Sequence, residues 1–296
     1  MTWIFYALVA AVFYAIYYLI FYKSIHKEHA LEYLGVMASF IVVFSFPLAK
    51  DISFQYSTGT WVWLYIISLL LVMFFFFLAQ SLKHRESSEV APLMNLSLIL
   101  IVVLSVLILH EKISLKNIAG IALMMTGSYI IEIGFHVAHL KKILKKFRTK
   151  YITYVFMAIV AASLIVMFEK IALDPQLVQA PINQVTPEAL FFLTRIGMAL
   201  NFIILLCFKQ NSVKGIRHAL KSRVLPIIII AIFNIAANYI YYLALQDGPV
   251  SLVVTLASLS TLLVVFIGGE LFHEHKLQQK LLATIVMILA TYLIIM

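Results

Sequence analysis

One ionisable residue stands inside a long apolar run, where a charge is costly to keep. Arg195 lies eight residues after Pro187, where this run begins. That distance is about 12 Å along a helix, close to the middle of a hydrocarbon core about 30 Å thick. A central arginine costs about 2.5 to 3.5 kcal/mol on insertion scales, so it needs a partner or a water-filled cavity. Two uses are open: binding an anionic group of a ligand, or pairing with a carboxylate of the chain.

Polar side chains recur along one predicted helix at helical spacing. Asn234, Asn238 and Tyr242 fall at i, i+4 and i+8, so two amides and a phenol share one face. Such a stripe suits hydrogen bonding to a ligand. The alternative for the two amides is hydrogen bonding to neighbouring helices.

Four further residues are candidates for the same site. Ser163 and Ser258 are expected at about the depth of Arg195 when residues are counted from the same membrane side. Tyr14 and Tyr18, one helical turn apart, are candidates to line a pocket for an apolar or aromatic ligand.

Charged residues near helix ends suggest two further roles. Glu169, Lys170 and Glu132 are candidates for gating or for coupling to protons, and the alternative is that they reach water at the interface. Glu111 and Glu274 come just before predicted helices, where a carboxylate is stabilised by unsatisfied amides and by the helix dipole. We interpret this last pair as structural helix caps.

The composition of the chain sets its class. Of 296 residues, 64% are hydrophobic and 12% are charged, and the mean hydropathy is +1.03. A water-soluble domain does not have this composition. The lone Cys207 excludes a disulfide within the chain, and we expect no metal site. The sequence therefore predicts an all-α integral membrane protein.

Apolar runs long enough to cross a bilayer recur along the whole sequence. Bounding them at Lys, Arg, Pro and Gly residues predicts ten transmembrane helices. They span 3 to 22, 31 to 48, 60 to 82, 90 to 109, 115 to 134, 151 to 171, 187 to 208, 224 to 246, 249 to 270 and 277 to 296.

Charge predicts the orientation of these helices. Most of the 22 Lys and Arg residues follow the odd-numbered predicted helices. Because basic loops stay in the cytoplasm, both termini are expected outside. The basic loop from Lys141 to Lys150 is expected to lie on an anionic leaflet or simply in water.

The sequence contains an internal repeat. Residues from Ser81 to Ile131 align without a gap to those from Ala244 to Ile294. The matched polar pairs are Ser88 with Ser251, His110 with His273, Glu111 with Glu274, and Tyr129 with Tyr292. Helices three to five thus correspond to helices eight to ten. Since five is odd, the second unit must be inverted in the bilayer, which is the symmetry that alternating access uses.

Four stretches of the chain carry a family resemblance. Ser81 to Leu93, His110 to Ser114 and Gly120 to Gly127 resemble the EamA domain of the drug/metabolite transporter superfamily, and residues from Gln246 to Ser251 resemble a second copy. The resemblance implies two inverted five-helix repeats around a central cavity that moves amino acids, metabolites, nucleotide sugars or drugs. It also implies cytoplasmic termini, against the charge count. Ala283 and Ala290 replace Gly120 and Gly127 in the second copy, so we expect the last helix to pack less closely than the fifth.

These observations together predict a transporter. We expect a first repeat over 1–134, a basic linker over 135–150 and a second repeat over 151–296. We expect a secondary-active or facilitative transporter of a small metabolite in the cell membrane, with no cofactor and no nucleic-acid partner. A monomer suffices, and a dimer is compatible with the sequence. The alternative is a membrane enzyme or scaffold, but the sequence contains neither an HExxH motif nor a nucleotide-binding motif.

Overall fold

The computed structural model describes residues 2–25, 30–84, 90, 93–133, 150–209, 212–264 and 277–295, and most of these residues are helical. No strand occurs among these residues, as the predicted all-α class requires. We number the α-helices in chain order. They are α1 (Thr2–Ile25), α2 (Ala30–Ser45), α3 (Thr58–His84), α4 (Ser97–Ile108), α5 (Leu115–Ile133), α6 (Lys150–Leu173), α7 (Pro187–Cys207), α8 (Ser212–Ser222), α9 (Val224–Asp247), α10 (Val250–Ala257) and α11 (Leu277–Ile295).

Six helices in the described part of the chain are long and apolar enough to cross a membrane. They are α1, α2 with the 3-10 turn that follows it, α3, α6, α7 and α9, and they coincide with six of the ten predicted spans. Shorter apolar helices lie at 97–108, 250–264 and 282–295. The protein is therefore a multi-pass membrane protein, while the count of ten spans stays a prediction.

The start of α7, which carries Arg195, follows directly from the local sequence. The Thr186 hydroxyl accepts a hydrogen bond from the Ala189 amide at 3.4 Å, Pro187 opens the helix, and Glu188 lies in its first turn. A hydroxyl N-cap, a proline with no amide to satisfy and an early carboxylate all favour a helix start. The local sequence thus determines where α7 begins, and with it how far Arg195 lies from the start of the helix.

The helices pack in a regular pattern. α1 lies along α9, and α3 lies along α6. α2 contacts α7 and α9, while α7 also contacts α3. α10 packs on α1 and α4, and α4 packs on α6. One apolar core runs between these helices, and some polar side chains, among them Arg195, Asn234 and Asn238, are buried with it.

The last helix, α11, packs antiparallel to α5 through small residues. A Cβ atom added to Gly120 would lie 3.1 Å from the carbonyl oxygen of Ala290, and one added to Gly127 would lie 3.3 Å from that of Ala283. Ala283 and Ala290 are fully buried. The two alanines that replace glycine in the second copy are therefore the residues that meet the glycines of α5, because the antiparallel pair places glycine opposite alanine.

We expect Gly127→Leu to separate α5 from α11. The leucine would overlap Met287 and the Ala283 carbonyl, which should lower the free energy of unfolding by about 1–3 kcal/mol. Thermal unfolding in detergent measures this change. Ala122→Leu, on the exposed face of the same helix, is the matched control, and equal stability of both variants would contradict the packing.

Two helices are interrupted at positions that the repeat relates. Before α4 the chain turns at Asn95, where the Leu98 amide donates to the Asn95 carbonyl at 3.1 Å. After α10 it turns at Ser258, where the Thr261 amide donates to the Ser258 carbonyl at 3.0 Å. The ninth predicted helix is therefore not continuous within its described part, because the chain makes a tighter turn at Ser258.

The basic segment after α7 contains a helix that sequence reasoning treated as a loop. In α8, Gly215 and Ala219 are buried while Lys214, Arg217 and Lys221 are exposed. The helix packs on α2. An amphipathic helix with lysine and arginine on its exposed face is typical of a membrane interface.

Candidate functional site

Arg195 is enclosed between helices and is only partly satisfied. Its side chain is 2% exposed. Nη2 donates to Oδ1 of Asn238 at 3.1 Å, and Cζ lies 5.0 Å from the centre of the Phe191 ring. Nε and Nη1 are buried with no acceptor among the described residues. The guanidinium thus has one neutral acceptor, one aromatic face and two donor nitrogens to spare.

Asn238 joins three helices at this point. Its Oδ1 also accepts a hydrogen bond from the Tyr14 hydroxyl of α1 at 3.1 Å, and its Nδ2 donates to the backbone carbonyl of Asn234 at 2.8 Å. Both acceptor positions of Oδ1 are therefore occupied. One turn away, Oδ1 of Asn234 is buried without a donor among the described residues. Asn238 therefore bonds neighbouring helices, while ligand binding by Asn234 stays a prediction.

Aromatic rings form a wall beside this cluster. Tyr14 stacks on Tyr18 at 5.7 Å between ring centres, and the Tyr241 ring meets Tyr14 edge-on at 6.0 Å. Tyr18 stacks in turn on Tyr22 at 5.8 Å. The predicted pair Tyr14 and Tyr18 thus lies at the cluster, with Tyr14 in direct contact with Asn238.

Glu169 and Tyr242 form a second buried polar contact. The Tyr242 hydroxyl donates to Oε1 of Glu169 at 2.5 Å, and the two side chains are 0% and 3% exposed respectively. Arg195 lies within electrostatic range of both. Glu169 therefore does not reach water at the interface, because α6 turns its side chain towards α9.

Lys170 points to a different partner from its neighbour Glu169. Its Nζ donates to the carbonyl oxygens of Leu245, Gln246 and Gly248 at 2.8, 3.1 and 3.3 Å. These carbonyls end α9, where a helix leaves acceptors unsatisfied. Glu169 and Lys170, two of the three candidates for gating, thus bind separate groups rather than each other.

Glu111 binds the other half of the turn between α9 and α10. Its carboxylate accepts from the amides of Val250 and Ser251 and from the Ser251 hydroxyl, the last at 2.7 Å. It therefore caps α10, not the helix α5 that follows it in sequence. At α5 the Ser114 hydroxyl accepts from the Asn117 amide at 3.2 Å. We use the name turn clamp for Glu111 and Lys170 together with residues 245–251, the turn to which both side chains bind.

The remaining predicted residues are not joined to Arg195. Ser163 donates to the Ile159 carbonyl of its own helix at 2.9 Å, and Ser258 donates to the Thr255 carbonyl at 2.6 Å. The side chain of Glu132 and the whole of Glu274 lie outside the described residues. Among described residues, no group of three or more His, Cys, Asp or Glu side chains could hold a metal ion.

Sequence reasoning missed two ring contacts at the site. Phe191 lies four residues before Arg195, the spacing at which two side chains share a helix face, so this contact was visible in the sequence. Tyr241 faces Tyr14, and the polar stripe through Tyr242 gave no signal for it. A contact between helices has no such local spacing.

Long apolar helices around a buried polar cluster define a multi-pass membrane protein with an internal candidate binding site. The model of the EamA-like transporter family matches residues 1–133 and again residues 149–296. The chain belongs to this family, which is part of the drug/metabolite transporter superfamily and whose members are small-molecule transporters rather than enzymes.

Two further comparisons concern known proteins. A crystal structure of another protein is similar over 99% of this chain and 96% of that chain, with a TM-score of 0.76 and 15% sequence identity. At this identity the likeness shows a shared fold alone. No curated protein sequence matches the chain.

Proposed function

We propose that the protein carries a small molecule across the plasma membrane by alternating access. Two inverted five-helix units, 1–134 and 151–296, would move about a site formed by Arg195, Asn238 and Tyr14, with 135–150 linking them. The charge count favours termini outside, and one chain contains both units.

The helix contacts support the inverted repeat. The repeat relates α1 to α6, α2 to α7, α3 to α9, α4 to α10 and α5 to α11. Under this exchange the contact of α1 with α9 becomes that of α6 with α3, and both contacts occur. The contact of α4 with α6 likewise becomes that of α10 with α1. A packing pattern that is unchanged by the exchange is what two equivalent units produce.

Two details support inversion rather than simple duplication. The related helices α5 and α11 run antiparallel through their Gly and Ala contacts, whereas a duplication without inversion would leave them parallel. The turns at Asn95 and Ser258 interrupt related helices at related positions. Discontinuous helices near repeat interfaces are typical of transporters.

The observation that carries the proposal is the incomplete pairing of Arg195. A buried charge is stable only when it is paired and hydrogen-bonded. Here two of the three guanidinium nitrogens have no acceptor among the described residues. A ligand that accepts from them would complete the site. Glu169 is the candidate for proton coupling, because its carboxylate is buried and accepts a hydrogen bond from the Tyr242 hydroxyl.

Counterflow into liposomes tests this function directly. Purified protein would be reconstituted and offered a pooled metabolite panel, read by mass spectrometry, with and without a pH gradient. Accumulation of one compound class establishes transport, and its response to the gradient reports proton coupling. No movement of any compound by folded protein would count against transport and favour the enzyme or scaffold alternative.

Tyr14→Phe should weaken transport without abolishing it. The change removes one hydrogen bond to Asn238, worth about 0.5–1.5 kcal/mol, so we expect the apparent KM to rise about 2- to 10-fold. Tyr65→Phe is the matched control, since the Tyr65 hydroxyl donates to Asn201 at 3.2 Å on an exposed surface. Equal KM values for Tyr14→Phe and Tyr65→Phe would remove Tyr14 from the site.

A further inference from the structure

The helix α8 is tethered to the membrane at both of its ends. α7 ends at Cys207 and α9 begins at Val224, and both of these helices are long and apolar enough to cross a membrane. α8 (Ser212–Ser222) lies between them, so each of its ends is within a few residues of a membrane-spanning helix. α8 therefore lies at the membrane surface, where lipid is within reach of its side chains.

The surface of α8 has three sides of different chemistry. Gly215 and Ala219 are buried against the protein. Val213 and Leu220 are 75% and 42% exposed, and their spacing of seven residues places them on one side of the helix. A third side carries exposed basic residues: Lys214, Arg217 and Lys221. A surface helix of a soluble protein has one buried and one polar face, whereas an additional exposed apolar side is typical of a helix at the lipid–water boundary.

Contacts with α2 fix the rotation of α8 about its own axis. A Cβ atom added to Gly215 would lie 2.7 Å from Cγ and 2.8 Å from Oε1 of Glu32, so the backbone of α8 touches this side chain. Glu32 is 1% exposed and pairs at 2.6 Å with Lys209, which lies just before α8. The apolar and basic sides of α8 therefore keep a fixed direction away from the protein.

We propose that α8 binds the phosphate groups of anionic phospholipids in the leaflet next to it. Val213 and Leu220 insert among the acyl chains, while Lys214, Arg217 and Lys221 bind the headgroups. Lipid binding of this kind does not require transport, so it is independent of the proposed function.

The charge of this segment complements an anionic leaflet. The stretch 208–226 contains five Lys or Arg residues and no Asp or Glu. Lys209 is paired with Glu32, whereas the basic residues of α8 are exposed. Each basic residue near an anionic surface strengthens binding about fivefold. The three exposed residues together should therefore favour anionic over zwitterionic lipid strongly.

Exposed apolar residues favour a bilayer over a soluble polyanion as the partner. Phe208 and Leu225, which flank α8 in sequence, are 85% and 65% exposed. An RNA or an acidic protein would bind the basic residues and leave these two side chains, with Val213 and Leu220, in water. A bilayer binds both kinds of residue, because its headgroups carry the charge and its acyl chains lie directly beneath them.

Thermal unfolding of the purified full chain in detergent tests lipid binding. The added probes are phosphatidylglycerol, phosphatidylcholine with the same acyl chains, glycerol 3-phosphate and heparin. We expect phosphatidylglycerol to raise the melting temperature most, since a ligand that binds the native state stabilises it. Glycerol 3-phosphate has the same headgroup chemistry without acyl chains and should have little effect.

Replacement of the three basic residues locates the bound lipid. The combined variant K214Q, R217Q and K221Q should raise the apparent Kd for phosphatidylglycerol on the order of 100-fold and leave that for phosphatidylcholine unchanged. The matched control combines K50Q, K112Q and K116Q, which remove the same charge from exposed lysines outside α8. This control should keep the affinity of the parent protein.

Quenching by brominated lipids measures the position of α8 without the triple variant. A dye on Leu220→Cys, in a Cys207→Ser background, should be quenched more strongly by lipids brominated on their acyl chains than a dye on Lys221→Cys. The reason is that these neighbouring residues lie on the apolar and the basic side of the helix. The comparison decides the matter if the triple variant does not fold.

Several results would overturn lipid binding by α8. They are equal stabilisation by the two lipids, stronger stabilisation by heparin or glycerol 3-phosphate, and unchanged affinity of the α8 variant for phosphatidylglycerol. An equal loss of affinity in the control variant, or no quenching at position 220, would do the same. A preference for phosphatidylglycerol that only the α8 variant loses supports the proposal.

Discussion

Arg195→Met should abolish transport and at the same time raise the melting temperature. The loss follows because an anionic ligand that accepts from Nε and Nη1 would lose two charge-assisted hydrogen bonds, each worth about 1.5–3 kcal/mol, which corresponds to at least 100-fold weaker binding. The gain in stability follows because the buried guanidinium has one neutral acceptor and two unpartnered nitrogens. Replacing it with an apolar side chain removes an incompletely paired buried charge. Counterflow and thermal unfolding measure the two effects.

Loss of transport together with a higher melting temperature distinguishes a binding residue from a structural one. Lys209→Met is the control, since Lys209 forms an ion pair with Glu32 at 2.6 Å and Glu32 is 1% exposed. Removing that paired cation should lower the melting temperature. If Arg195→Met lowered it as well and left transport unchanged, Arg195 would have a structural role only.

Glu111→Gln should open the side of the protein on which the N-terminus lies. The carboxylate joins the segment between α4 and α5 to the turn between α9 and α10. A glutamine nitrogen cannot accept from the Ser251 amide, and the favourable charge at the helix start is lost. We expect a shift on the order of tenfold towards the state open on this side.

Access of a thiol reagent measures this opening. The reporter is Ala10→Cys in a Cys207→Ser background, because Ala10 is fully buried and lies one turn on the N-terminal side of Tyr14. A membrane-impermeant maleimide should label it about ten times faster when Glu111→Gln is added. Lys170→Met, which breaks the other half of the turn clamp, should act in the same direction.

A matched carboxylate shows whether the effect belongs to the turn clamp. Glu188 accepts from the Tyr239 hydroxyl at 2.7 Å and lies at the start of α7, on the same side of the protein. Glu188→Gln should leave labelling near the parent rate. Equal acceleration by both variants would mean general loosening of this side rather than release of a specific contact between units.

The sequence by itself determined the class of protein and much of its helical organisation. Apolar run length is a local property, so six of the ten predicted segments coincide with helices long enough to cross a membrane in the described part of the chain. The same locality identified Arg195 as a costly charge, and Asn234, Asn238 and Tyr242 as one stripe. The repeat was also visible, because its polar pairs recur at one spacing.

The tertiary structure decided which groups meet across helices. Glu111 faces α10 rather than α5, Glu169 is buried against Tyr242, and Lys170 binds the end of α9. None of these partners lies within one helical turn in sequence, so no periodicity marks them. The free atoms of Arg195 and Asn234 likewise became apparent only with the helices in place, because a hydrogen-bonding group is unsatisfied only relative to everything packed around it.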